Sequence, residues 1–348
     1  MTKTIKTIAL ATCFILAAGC SGNFPLSVKA NDPKPSKYSA WITYWDAKNG
    51  EKELLQIKSK IDNLSYFAAY FGENDKLIVP KNIKQLKKNF DKKRLKQKSY
   101  LTFVNDVKLP NDQILLKDID LLRRLFATDE SIYKHIESII KIAKEASYDG
   151  IEIDYERIWV DENVGIKFSV FINILAQECI KNNLALRVVL EPGIPFEKNI
   201  FANGPEYVVM MYNLYGTHSG PGPKADRSFI KRVIDKMQWL PEEKAVAFSN
   251  GGCIWGTDGS KKFITQEEAE ALAEKYKPEI EIDTESAAKY FQYNGENGYL
   301  YTVWYADSQT INFWIATARA NGISNVSIWR LGGNVKIEEL KTYKDGTP

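Results

Sequence analysis

The stretch YDGIEIDYER, residues 148–157, decides the fold of this 348-residue chain. Its acids Glu152, Asp154 and Glu156 stand at every second position, and β-forming residues fill the positions between them. Side chains alternate across a strand, so the three carboxylates point to one face. They follow one another at roughly 6.6 Å, twice the ~3.3 Å rise per residue, and would repel each other unless they share protons. A solvated edge strand and a buried functional strand both fit this stretch alone.

Other β-rich runs precede and follow this strand, and segments of helical period, such as 132–146 and 167–183, lie between them. The runs that predict strands cover residues 40–45, 64–71, 99–104, 150–156, 186–190, 207–212, 244–248 and 325–329. Eight strands with helices between them predict an α/β fold, a closed (β/α)8 TIM barrel. A doubly wound open sheet is the alternative, but no glycine-rich phosphate turn follows the first run.

The connection between the seventh and eighth runs is longer than the others. Within residues 249–306, Thr265 and Glu268 form a capping-box pattern at a helix start, and residues 298–305 are β-rich. The amphipathic segment 308–322 then leads into the last strand. We therefore predict a small α+β insertion at about 249–306, between strands 7 and 8.

The N-terminal residues are expected to lie outside the barrel. Residues 1–19 carry two lysines ahead of an apolar run and small residues, which predicts a secretory signal peptide. The sequence LAAGC, residues 16–20, resembles the end of a bacterial lipoprotein signal, in which the cysteine, here Cys20, is lipidated. Ordinary secretory cleavage is the alternative. Residues 20–38 predict a flexible tether, and residues 39–348 predict the barrel.

Composition narrows the classes of partner. The chain has 47 basic and 44 acidic residues, and removing the two lysines of residues 1–19 leaves 45 against 44, which argues against nucleic acid as a partner. Two histidines in the whole chain argue against a multi-histidine metal site, and no metal or other cofactor is expected. One of them, His135, lies in a helical pattern and is predicted to be a surface residue, which disfavours a Ser-His-Asp hydrolase.

A barrel changes the meaning of the three acids, because catalytic groups of this fold lie at the C-terminal ends of the strands. Glu156 is the outermost acid of its strand, and Asp154 and Glu152 lie progressively deeper. Buried acids that share protons have raised pKa values, and a raised pKa suits a general acid that works near neutral pH. The alternative is a structural ion-pair network inside the barrel.

The stretch DGIEIDYE, residues 149–156, resembles the D-G-x-D-x-D-x-E signature of glycoside hydrolase family 18, which contains chitinases and endo-β-N-acetylglucosaminidases. MMYN at 210–213 and VSIWRLGG at 326–333 resemble the motifs of that family on strands six and eight. YTVWYAD at 301–307, followed by the last strand, is similar to the spore-germination, cortex-lytic branch. The resemblance covers most of residues 40–333 and implies a TIM barrel with glycosidase activity.

The resemblance implies a retaining mechanism in which the 2-acetamido group of the substrate is the nucleophile. Glu156 would be the general acid and then the base. Asp154 would orient and stabilise the acetamide, with Glu152 buffering it from below. Tyr212 would donate a hydrogen bond to the acetamide oxygen, and Trp329 would form the apolar floor under the sugar.

Two positions depart from the family pattern: Glu152 and Asn213 stand where many members have aspartate. Asn213 is nevertheless predicted to be a supporting residue of the site. Trp45, Trp255 and Trp304 are further candidates for stacking on sugar rings, and core packing is the alternative for each of them, as it is for Tyr212 and Trp329.

The sequence therefore predicts a glycosidase that cleaves β-linked N-acetylglucosamine-containing glycans, such as peptidoglycan or chitin-type oligosaccharides. It would act outside the cell, lipid-anchored to the bacterial membrane or, alternatively, secreted. A non-catalytic, chitinase-like sugar-binding lipoprotein is the second hypothesis. The acid Glu156 favours the enzyme, because a lectin has no need of it. The loops around the site, rather than its motif, determine which polymer binds, so the sequence motif does not identify the natural glycan.

Overall fold

A computed structural model describes residues 36–343, which form a closed barrel of eight parallel strands. The strands are β1 Tyr38–Thr43, β2 Asn63–Phe71, β3 Lys98–Lys108, β4 Gly150–Asp154, β5 Ala185–Leu190, β6 Glu206–Met210, β7 Lys244–Ser249 and β8 Val326–Leu331. Each strand pairs with the next, and β8 returns to β1 with Val326 opposite Tyr38. The predicted TIM barrel is confirmed.

Helices pack around the barrel: α1 Ala47–Ile57, α2 Lys81–Lys92, α3 Ile119–Leu125, α4 Asp129–Glu145, α5 Glu162–Lys181, α6 Arg227–Lys236 and α8 Ser308–Ala320, with α7 Gln266–Tyr276 in the insertion. Six of them, α3 to α8, begin at an Asp or Thr whose side chain accepts backbone N–H groups of the first turn. Between β5 and β6 the connection holds only a short 3-10 helix, Phe196–Lys198, so the alternation of strand and helix is incomplete there.

The ends of β1 differ from the prediction. The strand begins at Tyr38, which the sequence placed in the tether, and ends at Thr43. Tyr44–Asp46 is a 3-10 helix, so Trp45 lies beyond the strand that was predicted to contain it. The predicted signal peptide and lipidation site, residues 1–20, lie outside the described residues.

The insertion between β7 and β8 is an antiparallel sheet covered by α7. Its strands, in spatial order, are Lys261–Ile264, Gly251–Gly256, Leu300–Ala306, Lys289–Asn294 and Glu281–Ile282. The predicted capping box is present, because Thr265 accepts the Glu268 N–H and Glu268 accepts the Thr265 N–H. The predicted α+β insertion is therefore confirmed.

The surface position predicted for His135 is wrong. The side chain is 4% exposed and points from α4 into the layer between helices and barrel. Its Nε2 lies 2.8 Å from the Tyr155 hydroxyl, and its ring stacks on those of Tyr155 and Phe171. A helical period predicts which residues share a face, and the apolar neighbours Ile132, Ile136 and Ile139 put this histidine on the inner one.

Candidate active site

The stretch YDGIEIDYER, residues 148–157, comprises β4 and the residues on either side of it. Gly150 starts the strand where its backbone approaches Tyr100 of β3 and Ala185 of β5; a Cβ there would lie 2.4 Å from Tyr100 Cε1 and 2.8 Å from the Ala185 carbonyl oxygen. Only glycine fits so close an approach. The apolar side chains Ile151 and Ile153 face the helices, and the acids face the interior of the barrel.

Glu152 lies deepest and is fully buried. Its Oε1 accepts the Trp41 indole N–H at 2.5 Å and the Thr102 hydroxyl at 2.7 Å, and its Oε2 accepts the Ser65 hydroxyl at 2.9 Å. The Arg187 guanidinium lies 3.4 Å from Oε2. These partners come from β1, β2, β3 and β5, so this carboxylate ties four strands to β4.

Arg187 is a partner of Glu152 that was not predicted from the sequence. It is 1% exposed, and its Nε lies 2.9 Å from Oε2 of Glu206 at the start of β6. The aromatic rings of Trp41 and Tyr100 flank its guanidinium, which lies 5.8 and 5.4 Å from their centroids. A single arginine in the apolar run LRVVL, on the same face as Val189, was the signal for a charge inside the barrel.

Asp154 stands one step higher and is buried, and its Oδ1 has no hydrogen-bond partner among residues 36–343. Burial raises the pKa of this carboxyl well above its ordinary value, and the neighbouring carboxylates of Glu156 and Glu152 raise it further. A buried oxygen without a partner is costly, and a role in catalysis is one physical explanation for such an atom. Asp154 therefore has an unused acceptor in the centre of the barrel mouth.

Glu156 follows β4 and has a side chain 16% exposed. Its Oε2 lies 2.5 Å from Nζ of Lys117, which belongs to the loop after β3. Burial raises the pKa of Glu156, while the Lys117 ammonium acts in the opposite direction. Asn105 fixes the backbone of this residue by accepting the Glu156 N–H at 2.9 Å and donating to its carbonyl oxygen at 3.1 Å. Neither Asn105 nor Lys117 was singled out from the sequence.

Tyr212 and Trp329 complete the centre of the site. Tyr212 packs, like Trp329, against the interior cluster that contains Trp41. Burial raises the pKa of its phenol well above the usual range, and the carboxyl groups of Asp154 and Glu156 raise it further. Trp329 is half-buried and packs edge-on against Phe67 at 4.7 Å and Trp41 at 5.8 Å. The structure thus brings the predicted acids, tyrosine and floor tryptophan to one end of the barrel.

The other predicted residues differ in position. Trp45 is 52% exposed. Its ring and that of Trp329 both pack against Phe67, so Trp45 lies beside the residue predicted to form the floor under the sugar. Trp304 stacks on Tyr290 at 4.4 Å in the insertion sheet. Trp255 is 5% exposed and donates its N–H to the carbonyl oxygens of Gly216 and Ser219, which favours core packing, the alternative to a stacking role, for this ring. The sequence could not distinguish these tryptophans, because it does not show which loop covers which ring.

Asn213 is exposed just after the strand end at β6. Within residues 36–343 no group of three or more His, Cys, Asp or Glu side chains is arranged to hold a metal ion. In the same part of the chain no helix is long and apolar enough to cross a membrane.

Comparison with models of known protein families gave no match. Among curated proteins, the chain is 26% identical over 292 residues to the uncharacterized glycosylase YvbX of Bacillus subtilis, covering 80% of this chain and 82% of that protein. It is 30% identical over 136 residues to a cortical fragment-lytic enzyme of Bacillus anthracis, which is 36% of this chain and 31% of that enzyme.

Solved structures share the fold. The spore cortex-lytic enzyme SleL of Bacillus cereus superposes with a TM-score of 0.73 at 18% identity, over 89% of this chain and 76% of that one. A chitinase from Chromobacterium violaceum gives a TM-score of 0.72 at 16% identity, over 87% of this chain and 96% of that one.

Fold, site and relatives define the class of protein: a glycosidase built on a (β/α)8 barrel. The prediction of a glycosidase is confirmed at this level by curated relatives that are a glycosylase and a cortical fragment-lytic enzyme.

Proposed function

We propose that this chain is a retaining, substrate-assisted glycosidase that cleaves N-acetylglucosamine-containing glycans. The observation that carries the proposal is the buried Oδ1 of Asp154, which has no partner among the described residues. Its carboxyl interacts electrostatically with those of Glu156 and Glu152 and with the phenol of Tyr212. A 2-acetamido group supplies the N–H that this acceptor lacks and a carbonyl oxygen for the Tyr212 hydroxyl.

In the first step Glu156 gives its proton to the glycosidic oxygen, and the bond from that oxygen to the anomeric carbon breaks. The acetamide carbonyl oxygen attacks the anomeric carbon, which forms a cyclic oxazolinium ion. Asp154 accepts the acetamide N–H and stabilises the positive charge that develops on the ring. Glu156, now a carboxylate, takes a proton from water as the water opens the ring, so the configuration is retained.

Glu152 cannot readily replace the acetamide as nucleophile. Both of its oxygens accept hydrogen bonds from Trp41, Thr102 and Ser65, and Arg187 lies beside it. Its carboxylate is therefore committed to the barrel interior, below the level at which a sugar can enter. Its negative charge contributes to the raised pKa of Asp154, which agrees with the buffering role expected of it.

Peptidoglycan is the glycan that we favour, because two of the relatives are cortex-lytic enzymes and the sequence ahead of the barrel predicts export. Lipid anchoring through Cys20, with residues 20–38 as a tether, is part of the same proposal. It would hold the barrel mouth within reach of a polymer that lies just outside the membrane.

The experiment that tests this function is a parallel digestion of purified peptidoglycan, chitin oligosaccharides and a high-mannose glycoprotein, with products identified by mass spectrometry. We expect new reducing ends at N-acetylamino sugars, and we expect them to have the β configuration when first released, as read by NMR. Release of the α anomer would contradict retention, and no cleavage of any of the three would contradict the enzyme.

A further inference from the structure

The cation that contacts the catalytic acid has no role in the mechanism above. Lys117 Nζ lies 2.5 Å from Glu156 Oε2, and the lysine side chain is 42% exposed, so a bound ligand can reach it. An ammonium in this place stabilises the carboxylate of Glu156, although the first step needs the protonated acid. Lys117 therefore opposes protonation of Glu156 in the free protein, and a group on the substrate that binds this lysine would explain why it is held there.

The backbone holds Lys117 firmly in this position. Its N–H donates to Asp106 Oδ1 at 2.8 Å, and the Asp118 N–H donates to the Asn105 carbonyl oxygen at 2.8 Å. Asn105 is the same residue that fixes the backbone of Glu156 from both sides. The loop after β3 and the acid after β4 are therefore built as one unit, and the lysine is pre-positioned beside the leaving group.

The chemistry of a β-1,4-linked glycan defines what this lysine meets. The acid protonates O4 of the leaving sugar, and C3 of that sugar, with its oxygen O3, is the adjacent carbon. In muramic acid O3 carries a lactyl ether that ends in a carboxylate, whereas in chitin it is a free hydroxyl. A group on O3 therefore lies next to the acid and next to the ammonium that contacts the acid.

We propose that Lys117 is a specificity-determining residue that binds the lactyl carboxylate of a muramic acid in the leaving position, which draws it away from Glu156. The inference rests on the proposed function and deepens it. The scissile bond then joins N-acetylglucosamine to muramic acid. A free lactyl carboxylate exists only where no peptide is attached to it by an amide bond, so hydrolysis of that amide must come before this cleavage.

Binding of such a carboxylate has a consequence for the acid. The charged groups that face Lys117 are the carboxyls of Glu156, Asp154, Glu191 and Asp106, from the ends of β3, β4 and β5. A substrate anion would take the ammonium from Glu156 and add a negative charge nearby, and both changes raise the pKa of Glu156. The acid would thus gain its proton when the acidic sugar is in place.

The test compares matched oligosaccharides on the unmodified protein. One carries leaving-position muramic acid with a free carboxylate, the second carries its neutral N-methylamide, and the third is a chitin oligosaccharide. We expect kcat/KM to be roughly tenfold to a hundredfold higher for the free acid than for the amide, the size of a charge-assisted hydrogen bond. We also expect the alkaline limb of the pH profile of kcat to lie at higher pH for the free acid.

Equal kcat/KM for the free acid and the amide would overturn the inference while leaving the glycosidase in place. No cleavage of any of the three oligosaccharides would contradict the proposed function itself.

Variants then assign the preference to this lysine. Lys117→Met should bring the ratio of acid to amide close to one, and Lys117→Arg should keep most of it. Lys108→Met is the matched control, because Lys108 ends β3, just before the loop that carries Lys117, and pairs with Asp112 at 2.7 Å rather than with Glu156. A lysine that only braces the loop would lower both rates together, so an unchanged ratio in Lys117→Met would overturn the assignment.

Discussion

Trp41 of β1 donates its indole N–H to Glu152 of β4 across the interior of the barrel, with 2.5 Å between Nε1 and Oε1. The two residues are 111 positions apart in the chain, and the strands that carry them are not neighbours in the sheet. The bond belongs to a buried charge network with Arg187 and Glu206 that lies below Asp154 and Glu156 in the barrel.

Breaking this network should destabilise the barrel more than breaking a surface ion pair, because it leaves a buried charge uncompensated. Glu152→Ala leaves the Arg187 guanidinium buried with one carboxylate partner fewer, and we expect the free energy of unfolding to fall by roughly 3–5 kcal/mol. Urea denaturation measures it. Asp235→Ala, which breaks the exposed pair with Lys231, is the control and should cost less than about 1 kcal/mol. Similar losses in the two variants would contradict the importance of the buried network.

Glu156→Gln removes the acid proton and keeps the shape of the side chain. Because general acid catalysis contributes about 10²–10⁴-fold, kcat should fall by at least two orders of magnitude, whereas binding of product oligosaccharides should persist. Steady-state kinetics and calorimetric titration separate the two effects. Near-normal turnover in this variant would remove Glu156 from the role of acid.

Substrate assistance requires an N-acyl group at the cleaved sugar. Glycans de-N-acetylated at that position should resist hydrolysis, and thiazoline compounds that resemble the oxazolinium ion should bind more tightly than the product sugar. Asp154→Ala should lose both turnover and this preference, whereas Asn213→Asp should keep the preference. Equal hydrolysis of acetylated and de-N-acetylated glycans would instead point to a carboxylate of the protein as the nucleophile.

The buried His135 predicts a loss of stability in acid. Burial lowers its pKa from 6.5 to about 3, so the folded protein holds it neutral while the unfolded chain takes up a proton below pH 6.5. Stability from this group is fully present above pH 6.5 and is lost as the pH falls toward 3, by roughly 3 kcal/mol at pH 4.

The double variant His135→Phe with Tyr155→Phe isolates this effect, because it replaces both partners of the 2.8 Å hydrogen bond by apolar rings. Urea midpoints at pH 7 and pH 4 should differ less in the double variant than in the unmodified protein. An identical pH dependence in the two proteins would show that His135 does not titrate as described.

Lipidation at Cys20 predicts that the full-length protein partitions with membranes when it is expressed in a bacterium. Cys20→Ser should block processing or release the protein, as detected by fractionation and by mass spectrometry of the N-terminus. Cys179→Ser, at a cysteine buried in α5, is a control that should leave partitioning unchanged. A wild-type protein found entirely in the medium would favour ordinary secretion.

The sequence by itself determined the barrel and the acid strand. The period of two in β4 placed Glu152 and Asp154 on one face, and the order of strands and helices then put that face inside a closed sheet, because each run carried a local pattern of its own. The capping box of Thr265 and Glu268 was predictable for the same reason, since its partners are three residues apart.

Only the tertiary structure decided which distant groups meet. Lys117 reaches Glu156 over 39 positions, and Arg187 joins the acid strand from β5, through contacts that no local pattern encodes. Tertiary packing also decided the burial of Trp255, because a loop from another part of the chain covers its ring. Local periodicity fixes the face on which a side chain lies, whereas the charge and cover that it meets there depend on contacts between residues far apart in the chain.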